Sequence, residues 1–529
     1  MSETAIFDCI IVGGGHNGLV CAAYLAKKNK RVLILEKRDI LGGACSTEPI
    51  FKGCKVSRAA YVLSLFHPQI IDDLELKSFG LTLLKRNPSS ISLFKSQKQL
   101  ILGSDSTQNI NVIRKFSIKD AEAYPHYLRY LDSIVEFVNY TLTLTPPNIV
   151  PRSFNDLKRF VELSGHLFLH LRGAKDFLYL MTHSAADILN NWFESDELKG
   201  VLATDGIIGA VASPNTNGTG YILLHHVMGQ VTAETGVWAY VQGGMGGLID
   251  SLEQACLSSN VTIKKAVNVT HIDTTLQTKK VLLDNGDIYE SPIIISNADP
   301  FVTSKLIGTQ HLPKSYLKKI EQIDFSSPVV KINVHLTQLP EFTLLKEDLP
   351  NTELQGTLHI EPSIKDLDNA YKEAQQGQFS TKPLIEITLP SVLDKTLAPK
   401  GQHIMGIFSQ YAPERIFSGH WDDEKQAYVD RIFTIIETFC PNFKSLIIDY
   451  DVLCPRDLEK IYSLTQGNIF HGAMTFNQLF SFRPVNGYAD YKTPIDGVYL
   501  CGSGTHPGGG VTGLPGWNAA RNIIQDLKL

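Results

Sequence analysis

The stretch Asp8–Gly18, DCIIVGGGHNG, decides the fold. Cys9, Ile10, Ile11 and Val12 form a short unbroken apolar run, as in a parallel strand covered on both faces. Gly13, Gly15 and Gly18 fit G-x-G-x-x-G, and Leu19, Val20, Ala22, Ala23, Leu25 and Ala26 continue as the apolar face of a helix. The first glycine permits a tight turn, and the second lets backbone approach a pyrophosphate. The third lets helix and sheet close, while the helix N-terminus offers unpaired N–H groups to phosphate oxygens. Arg31–Glu36, RVLILE, reads as the second strand. It ends, eighteen residues beyond Gly18, in a carboxylate placed to accept hydrogen bonds from an adenosine ribose. Strand, turn, helix and acid together predict a dinucleotide-binding βαβ unit.

The chain of 529 residues is long enough for two or more lobes with large cores, and its 43% hydrophobic and 19% charged content is that of an ordinary folded protein. A net charge of −5, from 49 basic against 54 acidic residues, argues against nucleic acid as the main partner. The eight cysteines form no CxxC pair, which predicts reduced thiols in a reducing compartment. The residues before the first strand carry neither a charged-then-apolar leader nor an Arg-rich presequence, so a soluble cytoplasmic protein is expected. The apolar run from Phe160 to Met181 is interrupted by Glu162, Arg172, Lys175 and Asp176 and makes a poor spanning helix. No His/Cys/Asp cluster has metal-ligand spacing and no G-x-S-x-G occurs, so neither a metal nor a serine nucleophile is expected.

Phe116 to Thr143 predicts a helix, with Ser117 and Asp120 at capping-box spacing and Pro125 early in it, and helical patterns continue to about Gly200. Val237–Val241 reads as a strand. The glycines at 243–247 form no second fingerprint, because position 249 is Ile, so no separate NAD(P)H domain is expected. Val261 to Ile272 alternates like one strand, and Lys279 to Glu290 reads as a hairpin turning at Asp284-Asn285-Gly286-Asp287. Pro292–Ser296 is a buried strand running into Asn297-Ala298-Asp299-Pro300. Val329–Leu336, Thr357–Ile360, Leu384–Thr388 and His403–Phe408 read as strands and Asp423–Phe439 as a helix, the sheet flooring a substrate pocket. Finally Gly497–Cys501 is a strand feeding the glycine-rich loop Gly502–Gly513, and a helix from Trp517 follows. Such a loop can bring backbone amides to a flavin's O2 edge, where negative charge builds up on reduction. Residues 1–100, 237–300 and 468–529 are thus assigned to a cofactor domain. A mainly helical segment, 101–236, and a mixed one, 301–467, make up the substrate domain.

GGGHNGL at 13–19, LEKRDILGGA at 35–44, SNADP at 296–300 and CGSGTHPGGGVTGLPGWNAA at 501–520 resemble the FAD-dependent phytoene desaturase-like oxidoreductases. SRAAYVLSLFHPQIIDDLELKSFGL at 57–81 and YILLHHVMG at 221–229 are similar to one branch of that family, and the match runs through the whole chain. The resemblance implies the glutathione-reductase class of FAD fold, shared with amine oxidases and Rab GDP-dissociation inhibitors. That is an α/β protein, a Rossmann-type FAD-binding domain with a discontinuous α+β substrate domain. It implies that Gly13, Gly15, Gly18 and Glu36 hold the ADP half of FAD, with His16, Asn17, Lys37 and Ala298 in the same cofactor set. Gly42, Gly43 and Ala44 would line the ribityl and pyrophosphate region, and Val267 would meet the adenine side. Gly502, Ser503, Gly509, Gly510, Val511 and Gly513 would approach pyrophosphate and flavin, although many flavoproteins of this fold carry an acid where Ser503 stands. Cys45 and Cys54 lie nine residues apart rather than in the C-x₄-C of disulfide reductases, so a dithiol mechanism is not expected.

The activity implied is hydride removal from an apolar, polyene or lipid-like small molecule, with FAD as acceptor. A base for the accompanying proton would be His506 beside the flavin loop, or His226 or its neighbour His225. Arg58 and Tyr61 are either substrate-orienting groups or a structural pair. An amine or amino-acid oxidase on the same fold, or a regulatory FAD-binding interaction protein, are the alternatives. Family resemblance adds the mitochondrial matrix as a second location, and the helical lobe admits peripheral membrane contact.

Overall fold

The computed structural model describes residues 7–151, 154–232, 235–345, 353–413, 415–417 and 419–528. The first six residues, to which the leader reading applies, lie outside them.

Cys9–Val12 is the central strand of a five-stranded sheet in the order Val498–Leu500, Ile293–Ser296, Cys9–Val12, Val32–Leu35, Thr262–Lys264. Every pairing in it is parallel. The period of two along the strand separates two cores. Cys9 and Ile11 pack with the helices His16–Ala26, Gly246–Ser258 and Leu514–Asp526. Ile10 and Val12 pack against the antiparallel strands Val269–Asp273, Lys279–Leu283 and Ile288–Ser291 on the other face. The expected single strand over 261–272 is therefore two strands in two sheets. The chain leaves the parallel sheet at Ala266, where φ is 56°, and this turn ties the Val267 N–H to the Glu36 carbonyl at 3.0 Å.

A seven-stranded sheet runs Ile447–Leu453, Val330–Leu336, His403–Gln410, Leu384–Thr388, Thr357–Ile360, Ser90–Leu93, Gln99–Leu102. Residues 90–102, grouped above mostly with the first segment, pair here instead, through the parallel register of Ser90–Leu93 with Thr357–Ile360. Val330, Ile332, Val334, Ile385 and Ile387 bury one face under the helix Trp421–Glu437. Lys331, Asn333 and Glu386 alternate onto the other face, which turns toward the helical part of the chain.

That part comprises Ile118–Leu142, Phe154–Leu169, Leu171–Thr182, Ala185–Trp192, Asp196–Thr204 and Thr219–Val227. The Ser117 hydroxyl caps the first of these by accepting the Asp120 N–H at 3.1 Å. Among the described residues no helix is long and apolar enough to cross a membrane.

Candidate functional site

The N-terminal loop owes its tightness to its glycines. A Cβ at Gly18 would sit 2.4 Å from the Gly13 carbonyl oxygen, and one at Gly15 would sit 2.7 Å from Asn297 Nδ2. Gly42, with φ of 102°, donates its N–H to the Gly14 carbonyl at 2.9 Å, and Gly43 lies beside it. The buried Glu36 carboxylate accepts Gly14 N–H through Oε2 at 2.7 Å and Arg38 N–H through Oε1 at 2.9 Å. Burial raises its pKa and the two N–H groups oppose the rise. Lys37 points to solvent. Ala298 abuts the C-terminal loop, where a Cβ on Gly502 would meet the Asn297 carbonyl oxygen at 2.4 Å.

Asn17 joins the two ends of the chain. Its Nδ2 donates to Ser503 Oγ at 3.0 Å, across 486 residues of sequence. Behind Ser503 lies Arg483, only 2% exposed, which donates to the carbonyls of Phe470, Gly472, Ala473, Gln478 and Ser503. Burial lowers its pKa to about 10, so it stays cationic.

His16, Ala44, Ser503, Gly510 and Val511 line one end of a cavity of about 430 Å³, together with His471. His16 Nε2, Asn17 Oδ1 and His471 Nδ1 are buried with no hydrogen-bond partner among the described residues. Burial holds the His16 imidazole down at about 3 and that of His471 at about 4, so both are neutral at pH 7.

Other expected residues lie elsewhere. Gly509 packs against Phe470, and Gly513 against Phe66 and Ile70. His506 is a correction: it does not line the cavity, because its ring turns toward the end of the helix Ile118–Leu142 and Nε2 meets the Thr141 carbonyl at 2.9 Å. Its Nδ1 has no hydrogen-bond partner among the described residues, but no part of the residue lines the cavity. His225 packs against Gly510, and neither ring nitrogen has a partner among the described residues. His226 does line the cavity; its Nδ1 lies 2.9 Å from the Asp205 and Ile222 carbonyls, which leaves the Nε2 lone pair available. Arg58 is structural, held bidentate by Asp451 and by Glu48, whereas Tyr61 lines the cavity.

The far wall is a cross-strand row. Lys331 sits opposite Phe408, Phe408 opposite Glu386, and Glu386 opposite His359, so all four side chains share the sheet face lining the cavity. Glu386 Oε1 pairs with His359 Nε2 at 3.2 Å. Lys331 Nζ bonds Asn333 Oδ1 at 2.7 Å and lies 4.8 Å from the Tyr61 ring centroid. Burial brings its pKa down to about 7. Across from the row, Asp205 follows the helix Asp196–Thr204, and burial with the nearby Glu386 charge lifts its carboxyl to about 7. Sequence reading missed this row and Arg483. The available signal was a charged residue at alternate positions of apolar strands, as in VVKINV and LIEIT.

Asp205 makes the site's stability depend on pH. From its ordinary value of 3.8 up to about 7, the folded chain keeps a proton that the unfolded chain has lost, so stability falls as pH rises through that window. Asp205→Asn is therefore expected to be more stable than wild type at pH 8, by about 2 kcal/mol allowing for the cavity's partial solvation, and little changed at pH 4. Thermal melts at the two pH values check this, and a variant less stable at pH 8 contradicts it.

Comparison with known proteins places this geometry. The model of the NAD(P)-binding Rossmann-like domain matches residues 11–74. Pyridine nucleotide-disulfide oxidoreductase domain-containing protein 2 of Rattus norvegicus is 40% identical over 546 residues, covering 99% of this chain and 94% of the rat protein. The chain belongs to the pyridine nucleotide-disulfide oxidoreductase domain-containing protein 2 family. All eight cysteines are free and buried. Beyond the family, phytoene desaturase (lycopene-forming) of Pantoea ananas is 23% identical over 538 residues, covering 98% of this chain and 99% of that protein. Among solved structures, a putrescine oxidase variant with redesigned cofactor binding superposes with a TM-score of 0.61 at 16% identity, over 98% of this chain and 99% of its own. That likeness shows the fold: α/β, built on a Rossmann-type nucleotide domain.

Proposed function

We propose that the chain is an FAD-dependent oxidoreductase taking a hydride from an apolar-bodied small molecule held in the cavity. The observation that carries this reading is the Asn17–Ser503 hydrogen bond, which brings both glycine loops to one end of that cavity. The residues suit the cofactor. The first turn of His16–Ala26 offers N–H groups to a pyrophosphate. Each Glu36 oxygen accepts one N–H and keeps capacity for a ribose hydroxyl. His16 Nε2, Asn17 Oδ1 and His471 Nδ1 lack the partners that a bound dinucleotide provides.

When bound, FAD supplies the two-electron acceptor. The chain's own residues orient and deprotonate. Leu102, Leu128, Leu131 and Leu223 hold the apolar body and keep water away, and His226 accepts the substrate's proton at Nε2. The similarity to phytoene desaturase supports carbon–carbon desaturation as the specific reaction. Anaerobic addition of long-chain or polyene donors to the loaded protein is expected to bleach the flavin absorbance. Bleaching by simple amines alone, with peroxide released in air, would replace this reading with amine oxidation. Glu36→Ala is expected to weaken FAD binding by about 1.5–3 kcal/mol, the worth of hydrogen bonds to a charged group, and an unchanged affinity counts against a ribose contact.

A further inference from the structure

Arg86 directly follows the strand Leu83–Lys85, lines the cavity and is only 3% exposed. Its Nη1 donates to Thr357 Oγ1 at 2.8 Å, its Nε meets the Trp238 carbonyl at 3.4 Å, and its guanidinium lies over the Tyr240 ring at 5.4 Å. These three neutral groups come from two other segments and fix the side chain without balancing its charge. Among the described residues no carboxylate lies within ion-pair distance of it: Glu386 is committed to His359, and Asp205 is near enough to feel the Arg86 charge without pairing with it. A guanidinium cannot shed its proton, and a buried cation without a counter-ion is costly. Thr357 and Trp238 thus take up Nη1 and Nε, and the Tyr240 hydroxyl is close enough to interact with the guanidinium as a further neutral group.

From this arrangement we infer that Arg86 is the docking point for a carboxylate on the substrate, so that the molecule bound here is an apolar-bodied carboxylic acid. This rests on the proposed function and narrows its substrate class. The planar fork of a guanidinium matches a carboxylate's two oxygens. Asp205, which carries its proton for part of the time at neutral pH, donates to such an anion instead of repelling it. The leucines at 102, 128, 131 and 223 accommodate the chain behind the head group.

Dodecanoate, dodecanol and dodecylamine, titrated calorimetrically into the purified holoprotein, test the inference. Dodecanoate is expected to bind roughly tenfold or more tighter than dodecanol. Arg86→Met is expected to abolish that advantage while leaving dodecanol affinity unchanged, and Arg86→Lys to restore part of it. Dodecanoate no tighter than dodecanol, dodecylamine tightest of the three, or an advantage that survives Arg86→Met would each overturn it. Should Arg86→Met not fold, Arg86→Lys decides: a dodecanoate advantage undiminished by loss of the planar fork would overturn the inference. Binding is read without turnover, so a protein that takes no FAD overturns the proposed function separately from this ranking.

Discussion

Arg483→Met is expected to lower the unfolding free energy by about 4 kcal/mol or more, because five buried carbonyls lose their donor and each unsatisfied group costs roughly 1–3 kcal/mol. The cost lies in those carbonyls more than in the lost charge. A buried cation is expensive to desolvate, and an apolar replacement that left no orphaned group would be tolerated. Here the acceptors belong to backbone that cannot turn to water. Since Ser503 is one of them, the variant also frees the loop that Asn17 holds, and FAD retention falls with stability. Arg483→Lys recovers only part, its compact ammonium being unable to span acceptors from residues 470 to 503. Urea denaturation measures the effect, and a midpoint within error of wild type would contradict it.

Gly516→Ala is the second large effect. The two helices that meet the glycine loops touch through this position: an added Cβ would lie 2.1 Å from the Asn17 carbonyl oxygen, 2.9 Å from its carbon and 3.1 Å from its Cα. All three atoms are backbone, so no rotamer relieves the clash, and overpacking of this kind costs about 1–3 kcal/mol. The helices must separate, which pulls Asn17 from Ser503. The expected result is a stability loss near the top of that range and roughly tenfold weaker FAD retention. Gly165→Ala is the control, since nothing lies within 4 Å of its added Cβ; there the change should be neutral or slightly stabilising. Equal behaviour of the two variants would show that the helices do not meet as described.

What could be read in the sequence was local. Strand, glycine turn, helix and Glu36 fall within thirty residues, each with its own chemical signature, and the loop after Leu500 carries a second signature of the same kind. Expectation failed where tertiary contact decides. His506 reads as a flavin-loop base because it follows Gly504, yet its ring is claimed by a carbonyl at the end of a helix that begins almost four hundred residues earlier. The Lys331–Phe408–Glu386–His359 row depends on the register of four strands, and no single segment records it. Residues 90–102 pair with the second sheet because Thr357–Ile360 offers them an edge far along the chain. Arg483 sits outside regular secondary structure, where neither periodicity nor capping marks it.

The most direct test is the cofactor stoichiometry of the purified chain. Heat-released flavin, resolved by chromatography and supplemented by titration of stripped protein with FAD, is expected to give one FAD per chain, with retention lost in Gly516→Ala. A chain that carries no flavin and binds none when FAD is added would contradict the account.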